Sequence, residues 1–389
     1  MRLVCLVEHF PPSLGSDKRI FELSKQLVRR HDVHIVAVPS SLSLITRQLS
    51  RSGPARLDSV KVQRIYVPPL THAAWSRSWK IAYPVTLVGL VLQTFRSIRD
   101  IRPDVVILNH PSAYSGLIGL LAAKLARVRV VLDFDDLIAE YTTCVLELKP
   151  SGILSSILTF IQWFIARHCD GVVVINDCIR REASRMGVRN TCVISNGAEA
   201  IGEQRAPSPA PDRELANSPL VCGMFGRLDD WTGVKKFEAI RGCLPSDGFR
   251  FVVAGQPAPS NCSFEYLGSI SHEEMQSIYS LVDIVIIPFK KERFTHAASP
   301  LRLFEAAAMG KCIVSTRLQG IEEVFRDGEA ILVDSDDPLD WAEHLRTLRK
   351  DRAMVARLGE RARERVLKEY TWDSLSKKFE EFLVSIMSK

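Results

Sequence analysis

Three groups of side chains stand where chemistry is commonly done. In the run Ser299-Pro300-Leu301-Arg302-Leu303-Phe304-Glu305-Ala306-Ala307-Ala308-Met309-Gly310, Arg302 falls in the first turn of an expected helix. A cation there opposes the helix dipole, so it points to an anionic ligand or to a solvated arginine. Glu305 lies one turn on, among Leu303, Phe304, Ala306 and Ala307. A carboxylate is costly to bury unpaired. It can accept two hydrogen bonds from vicinal hydroxyls such as those of a ribose, or pair with a lysine or a backbone group. Arg227 follows Gly226 at an expected strand end. Its guanidinium can hold a pyrophosphate bidentately, or it is a surface arginine in a loop. His110 falls just past another strand, and Asp133, Asp135 and Asp136 are expected past the next. The imidazole could act as a base or a hydroxyl contact, and Asp133 and Asp135 could orient an acceptor. Asp136 is read as a helix cap. The pairs Asp133/Asp135 and Asp334/Asp336 would each need further oxygen ligands to hold a divalent cation, and no metal or other cofactor is expected.

These residues need strands and helices to position them. Arg2–Val7 and Val33–Val38 read as strands on either side of a turn-rich loop, Phe10–Ser16, and a helix over Arg19–Arg30 with Ile20, Phe21, Leu23, Leu27 and Val28 on one side. Strand, loop, helix and strand in that order open a Rossmann-like domain. The loop has one glycine and does not match G-x-G-x-x-G, which argues against a dinucleotide cofactor. Further strands are expected at 60–67, 104–109, 128–132, 171–175 and 191–194, with helices at 113–126 and 153–167. The apolar segment 79–98 reads as a helix starting near Pro84, either buried or lying on a membrane. After Ser195-Asn196-Gly197 and the linker-like Ala206-Pro207-Ser208-Pro209-Ala210-Pro211, a second alternating series begins. It has strands at 221–225, 251–254, 264–267 and 284–287, helices at 234–242 and 271–280, and a helical tail over 338–388 with a turn near Tyr370–Asp373. Pro300 suits a first helical turn, and Gly310 suits a helix end.

At 389 residues two domains are the default. Hydrophobic content of 46% is ordinary for a globular chain. The nine cysteines are scattered without a C-x-x-C pair. That argues for reduced thiols in a cytoplasmic setting and against a zinc site. No stretch reaches the roughly 18–20 apolar residues of a spanning helix, and the apolar start ends at Glu8, too soon for a signal peptide. Residues 1–200 carry 25 Lys and Arg against 16 Asp and Glu, whereas residues 201–389 carry 26 against 29. The imbalance is either surface scatter or a basic first domain that meets an anionic membrane or acceptor. No nucleic-acid partner is expected.

The chain resembles the retaining group 1 glycosyltransferases. The resemblance rests on Asp283-Ile284-Val285-Ile286-Ile287-Pro288, on Ser299–Lys311 and on Gly320-Ile321-Glu322-Glu323-Val324. It is supported by Phe10–Gly15, Ser195-Asn196-Gly197, Phe225-Gly226-Arg227-Leu228 and Tyr370-Thr371-Trp372. It implies an α/β architecture of the GT-B type, two Rossmann-like domains facing across a cleft. It divides the chain into an acceptor domain at 1–198, a nucleotide-sugar domain at 199–370, and a last helix at 371–389 packing back on the first domain. It also implies transfer of a sugar from a nucleotide-sugar to a glycan or lipid-linked acceptor. By that similarity Glu305 holds the donor ribose, Arg227 serves the leaving diphosphate, and His110 faces sugar or acceptor. Gly15 and Ser16 match a loop near the phosphates. Where the family commonly has a first glutamate, this chain has Ala297, and the usual lysine after Gly-Arg-Leu falls near Thr232. Ser299-Pro300-Leu301-Arg302 resembles a subset in which loop N–H groups near Ala298 and Ser299 meet the sugar. The other functions weighed are a nucleotide-sugar epimerase and a non-catalytic nucleotide-sugar binder.

Overall fold

The computed structural model describes residues 1–8, 15–38, 55–57, 59–65, 87–200, 218–258, 264–269, 274–326 and 328–388. The chain divides into two compact units, Met1–Ser195 with Asp373–Lys389, and Asn196–Trp372.

In the first unit the elements run β1 (Arg2–Val7), α1 (Gly15–Leu27), β2 (Asp32–Ala37), β3 (Ala55–Leu57), β4 (Val60–Arg64), α2 (87–101), β5 (Val105–Leu108), α3 (Ser115–Leu125), β6 (Arg129–Phe134), α4 (Ile138–Val145), α5 (Ile153–His168), β7 (Gly171–Val174), α6 (Asp177–Arg185) and β8 (Thr191–Val193). The sheet order is β3-β4-β2-β1-β5-β6-β7-β8. Every pairing is parallel except β3 with β4. β5 and β7 are buried along their whole length, as strands covered on both faces must be. The residues at 79–86, including the expected helix start at Pro84, lie outside the described residues. The described remainder of that helix buries Leu90 and Ile98 and exposes Val88 and Leu92, so it is amphipathic rather than wholly buried.

The second unit runs β9 (Leu220–Arg227), α7 (Val234–Gly242), β10 (Phe249–Gln256), β11 (Glu265–Tyr266), α8 (Met275–Ser280), β12 (Ile284–Ile287), α9 (Arg293–His296), α10 (Leu301–Ala308), β13 (Cys312–Thr316), α11 (Gln319–Glu322), β14 (Ile331–Val333), α12 (Pro338–Lys350) and α13 (Arg352–Glu369). Its sheet is parallel throughout, in the order β11-β10-β9-β12-β13-β14. The last helix, α14 (Trp372–Met387), belongs to the first unit from Asp373 onward. There Glu380 pairs with Arg30 and His31, and Gly171 leaves room for Phe382 and Ile386.

Each sheet has one place where strand order reverses. In the first unit it lies between β1 and β5, and in the second between β9 and β12. Crossovers on the two sides of such a point go to opposite faces, which leaves a crevice at the carboxyl ends of those strands.

The first unit is tied by a buried ion pair. Arg19 on α1 reaches Asp133 on β6, with Nε 2.9 Å from Oδ2 and Nη2 3.0 Å from Oδ1. The same guanidinium donates to the carbonyls of Ile194 and Ser195 at 2.7 and 2.5 Å. Both side chains are fully buried. Asp133 is therefore not past its strand facing an acceptor. It is the fifth residue of β6, and both its oxygens accept from Arg19. Burial pushes its carboxyl pKa up against the opposing pull of Arg19.

Removing one partner of such a pair strands the other charge. Asp133→Ala should cost about 3–5 kcal/mol in guanidinium unfolding followed by circular dichroism. A loss below about 1 kcal/mol would put the pair in the class of surface ion pairs.

Candidate active site

In the second unit the switch point gathers the ends of β9 and β12 and the helix that follows β12. β9 runs on through Gly226 and Arg227, which thus sit in its last two positions rather than beyond it. Gly226 has φ +95°, and a Cβ there would lie 2.7 Å from Nη2 of Arg302. Glycine at 226 thus makes room for the guanidinium. Next to it, a Cβ on Gly255 would lie 1.6 Å from the Gly226 carbonyl oxygen, so β9 and β10 close up only with glycine there. The guanidinium of Arg302 lies 5.5 Å from the centroid of the Phe289 ring, a cation–π distance. Burial, first, and then Arg227 lower its pKa, against Tyr279 and Glu305. Arg227 is itself held by Asp229.

α10 starts at Leu301, with Pro300 as its N-cap rather than in its first turn (φ −68°, ψ 136°). No cap side chain accepts from the first-turn amides. Gly310 adopts φ +69° at the far end, as expected. Glu305 is fixed by the Tyr279 hydroxyl, which donates to its Oε2 at 3.0 Å. Tyr279 is buried and packs edge-on against Phe225, centroids 5.4 Å apart.

The loop between α9 and α10 differs from expectation. The Ala298 amide donates to the Thr295 carbonyl at 3.0 Å, so it is spent on the helix end and is not held out for a sugar hydroxyl. Ala297 is buried and bonded in the same way, to Phe294 at 3.2 Å. Ser299 has a buried Oγ with no hydrogen-bond partner among the described residues, and its carbonyl accepts from Asn196 Nδ2 at 2.6 Å.

The first unit carries the polar residues of its own switch point. β1 and β5 are in register from Leu3 opposite Val105 to Leu6 opposite Leu108, and two residues further on the same register sets Glu8 beside His110. Nε2 of His110 lies 3.4 Å from Oε1 of Glu8. Asn109 donates to Asp17 at 2.8 Å. Burial alone would lower the His110 pKa, but Glu8, with Asp135 and Asp17 behind it, raises the ring to about 9. Burial would likewise raise Glu8, but His110 with the hydroxyls of Ser115 and Ser112 brings it down to about 2. Burial, and then Asp135, push Asp136 up to about 7. Asp136 is not the helix cap, because Leu137 takes that position in α4. Gly15 and Ser16 open α1, and the loop at 9–14 before them lies outside the described residues. Residues 271–273, at the expected start of the helix over 271–280, lie outside them too.

Three contributors were missed in the sequence. Tyr279 and Phe289 gave no signal, because each acts through packing set by distant chain. Glu8 had one: it is the first polar residue after a buried strand, which is where a parallel sheet presents its ligands.

Among the described residues, no group of three or more His, Cys, Asp or Glu side chains is placed to hold a metal, and no helix is long and apolar enough to cross a membrane. The described cysteines form no disulfide with one another.

Two doubly wound parallel units, each with polar residues at its switch point, define a protein of the GT-B class. A glycosyl transferase 4-like domain model matches residues 15–197, and a glycosyl transferase-like model matches residues 235–381. The D-inositol 3-phosphate glycosyltransferase of Corynebacterium urealyticum is 32% identical over 223 residues, covering 50% of this chain and 51% of that protein. The chain spans about half the length of the curated relatives it matches. Sucrose-phosphate synthase from Thermosynechococcus elongatus superposes with a TM-score of 0.76 at 16% identity, over 100% of this chain and 99% of that one. HepE of Anabaena, in complex with UDP and glucose, gives 0.71 at 16% identity, over 99% and 100%. These two likenesses are of fold. The chain belongs to the glycosyl transferase 4-like, group 1 family.

Alanine at 226 has to adopt a left-handed conformation and displace Arg302. Gly226→Ala should therefore lose about 1–2 kcal/mol from backbone strain, read as a lowered denaturation midpoint. An unchanged midpoint would mean that the φ of +95° is not required.

Proposed function

We propose that the chain transfers a glycosyl group from a nucleoside diphosphate sugar to an acceptor hydroxyl, with retention at the anomeric carbon. The observation that carries this reading is the pairing of Arg302 with Glu305, one helical turn apart at the β9/β12 switch point. The cation has room made for it by Gly226, and the carboxylate is oriented by Tyr279. A nucleoside diphosphate offers what these groups bind. Its diphosphate suits Arg302, Arg227 and the uncapped start of α10. Its ribose hydroxyls suit the carboxylate of Glu305. As the bond to the sugar breaks, negative charge grows on the diphosphate and positive charge on the sugar ring. The two arginines then stabilise the leaving group more than the ground state. Ser299 Oγ is the unpartnered polar atom nearest in sequence to this helix start, and it is assigned to a sugar hydroxyl in place of the carboxylate that Ala297 lacks. His110 is assigned to the sugar or acceptor side, as is Asp135. Because HepE of Anabaena is seen in complex with UDP and glucose, UDP-hexoses are the first donors to try.

The reading is tested by thermal shift over a panel of nucleotide-sugars, since a ligand that binds the folded state stabilises it. The best donor is then carried into transfer assays with the product anomer read by NMR. Retained configuration and full activity in EDTA are expected. Tight diphosphate binding without transfer to any acceptor would instead make the chain a non-catalytic binder. Turnover of donor to its epimer would make it an epimerase. Glu305→Ala should weaken nucleoside diphosphate binding by up to about 3 kcal/mol, the scale of a charged hydrogen bond. Unchanged affinity by calorimetry in a folded variant would remove the ribose role.

The acceptor is proposed to be lipid-linked, with the first unit resting on an anionic bilayer. α5 exposes Ile153, Leu154, Ile157 and Phe160 on one stripe. The helix has no Asp or Glu in its sixteen residues, and residues 1–200 carry the basic excess of the chain. An apolar stripe on a basic unit fits an anionic interface better than it fits a second copy of the same positive surface. Flotation should recover the chain with phosphatidylglycerol vesicles and not with phosphatidylcholine alone, and Ile157→Glu with Phe160→Glu should abolish recovery. A dimer that the same pair of substitutions breaks, with no flotation, would assign the stripe to self-association.

A further inference from the structure

The polar cluster at the β1/β5 switch point contains a carboxylate to which no role has yet been given. Glu8 follows β1 directly and is largely buried. Its Oε1 accepts from Ser115 Oγ at 2.6 Å and from Ser112 Oγ at 2.8 Å. The Ser112 hydroxyl in turn accepts from the Gly116 amide at 3.1 Å. Glu8 is thus clamped to the start of α3 by two hydroxyls, with the same oxygen 3.4 Å from His110 Nε2. The other ring nitrogen, Nδ1, is buried and has no hydrogen-bond partner among the described residues. His110 as a whole is 7% exposed. A buried N–H without an acceptor costs about 1–3 kcal/mol, more on a charged ring, and an incoming oxygen would remove that cost.

We infer that Glu8 is a positioning residue for the transfer reaction: it anchors the His110 ring at Nε2, keeps that ring charged, and leaves Nδ1–H to donate to a ligand oxygen. This rests on the glycosyl-transfer reading above. An imidazolium has no lone pair to accept a proton, so His110 is not the base that deprotonates the acceptor. It is a cationic donor, suited to a sugar hydroxyl or to a phosphate oxygen. The charge is supported from several elements. Glu8 after β1, Asp17 on α1, Asp133 on β6, and Asp135 and Asp136 after β6 all interact electrostatically with the ring. Arg19 neutralises Asp133 within this set.

His110 is raised from 6.5 to about 9, so the stability it adds is complete below pH 6.5 and is lost as pH rises through 9. Glu8 is lowered from 4.5 to about 2, so its share is complete above pH 4.5 and is lost as pH falls through 2. Between those limits the ion pair is whole.

Glu8→Gln keeps the shape and removes the charge. If the ring returns to its ordinary value, the charged fraction falls about 30-fold at pH 8 and less than about twofold at pH 6. Transfer should fall in the same pattern, and the His110 ring resonances should titrate near pH 6.5 instead of near 9. An equal loss at both pH values, or a ring that still titrates near 9, overturns the assignment. If Glu8→Gln does not fold, the Ser112→Ala/Ser115→Ala pair carries the test. It loosens the clamp, so a lowered His110 titration supports the assignment and an unmoved one overturns it. Affinities of His110→Asn for the free diphosphate and for the whole nucleotide-sugar separate the two ligand oxygens. Loss on both marks a phosphate contact, and loss on the sugar alone marks a hydroxyl contact. If the wild-type chain transfers no sugar from any donor, the glycosyl-transfer reading fails. The ring titration of Glu8→Gln then still decides whether Glu8 sets the charge of His110.

Discussion

A parallel strand cannot be followed at once by its neighbour. The chain must cross back over a face of the sheet, and each crossover covers that face. Where strand order reverses, successive crossovers leave on opposite faces and the strand ends between them stay open. Both units obey this constraint, at β1/β5 and at β9/β12. Glu8 and His110 stand at the first reversal. Gly226, Arg227, Phe289 and the start of α10 stand at the second. The polar residues therefore stand at strand ends because the topology leaves a crevice there.

The two units handle charge in contrasting ways. In the first, Arg19 and Asp133 are wholly buried, and their bidentate pairing together with two carbonyl contacts offsets the desolvation of both groups. Glu8 and His110 form a second pair nearby, each moving the other toward its charged form. In the second unit Arg302 is half-buried against an aromatic ring, and burial is the leading cause of its lowered pKa. A cation held at a cost beside a helix start suits a ligand that brings negative charge. A cation already matched by an internal carboxylate, like Arg19, serves the fold.

Much of the architecture was legible because its signals are local. Ile284–Ile287 is an unbroken apolar run and is a fully buried strand. Ile153–His168 matches its expected helix closely, and Gly310 closes α10 in a left-handed conformation. Errors came where a side chain's partner lies far away in sequence. Asp133 looked like a strand-end acid because nothing near it announces Arg19, 114 residues earlier. Asp136 looked like a cap, but the helix begins one residue later. Ala298 looked like a free amide, but a short helix before it consumes that donor.

The sequence by itself determined most of the strands and the longer helices, the two-unit layout of the chain and the family, since these depend on periodicity, on turn residues and on short contiguous motifs. It also supplied the candidates Arg302, Glu305 and His110 by their places relative to strand ends. Only the tertiary structure decided what each candidate can do. Whether a carboxylate is spent internally, as Asp133 is, or oriented by a neighbour, as Glu305 is by Tyr279, depends on contacts between segments that only folding brings together. The charge of His110 is the sharpest case. An imidazole titrates wherever its surroundings set it, and here carboxylates from several segments, Glu8 more than a hundred residues away among them, raise it.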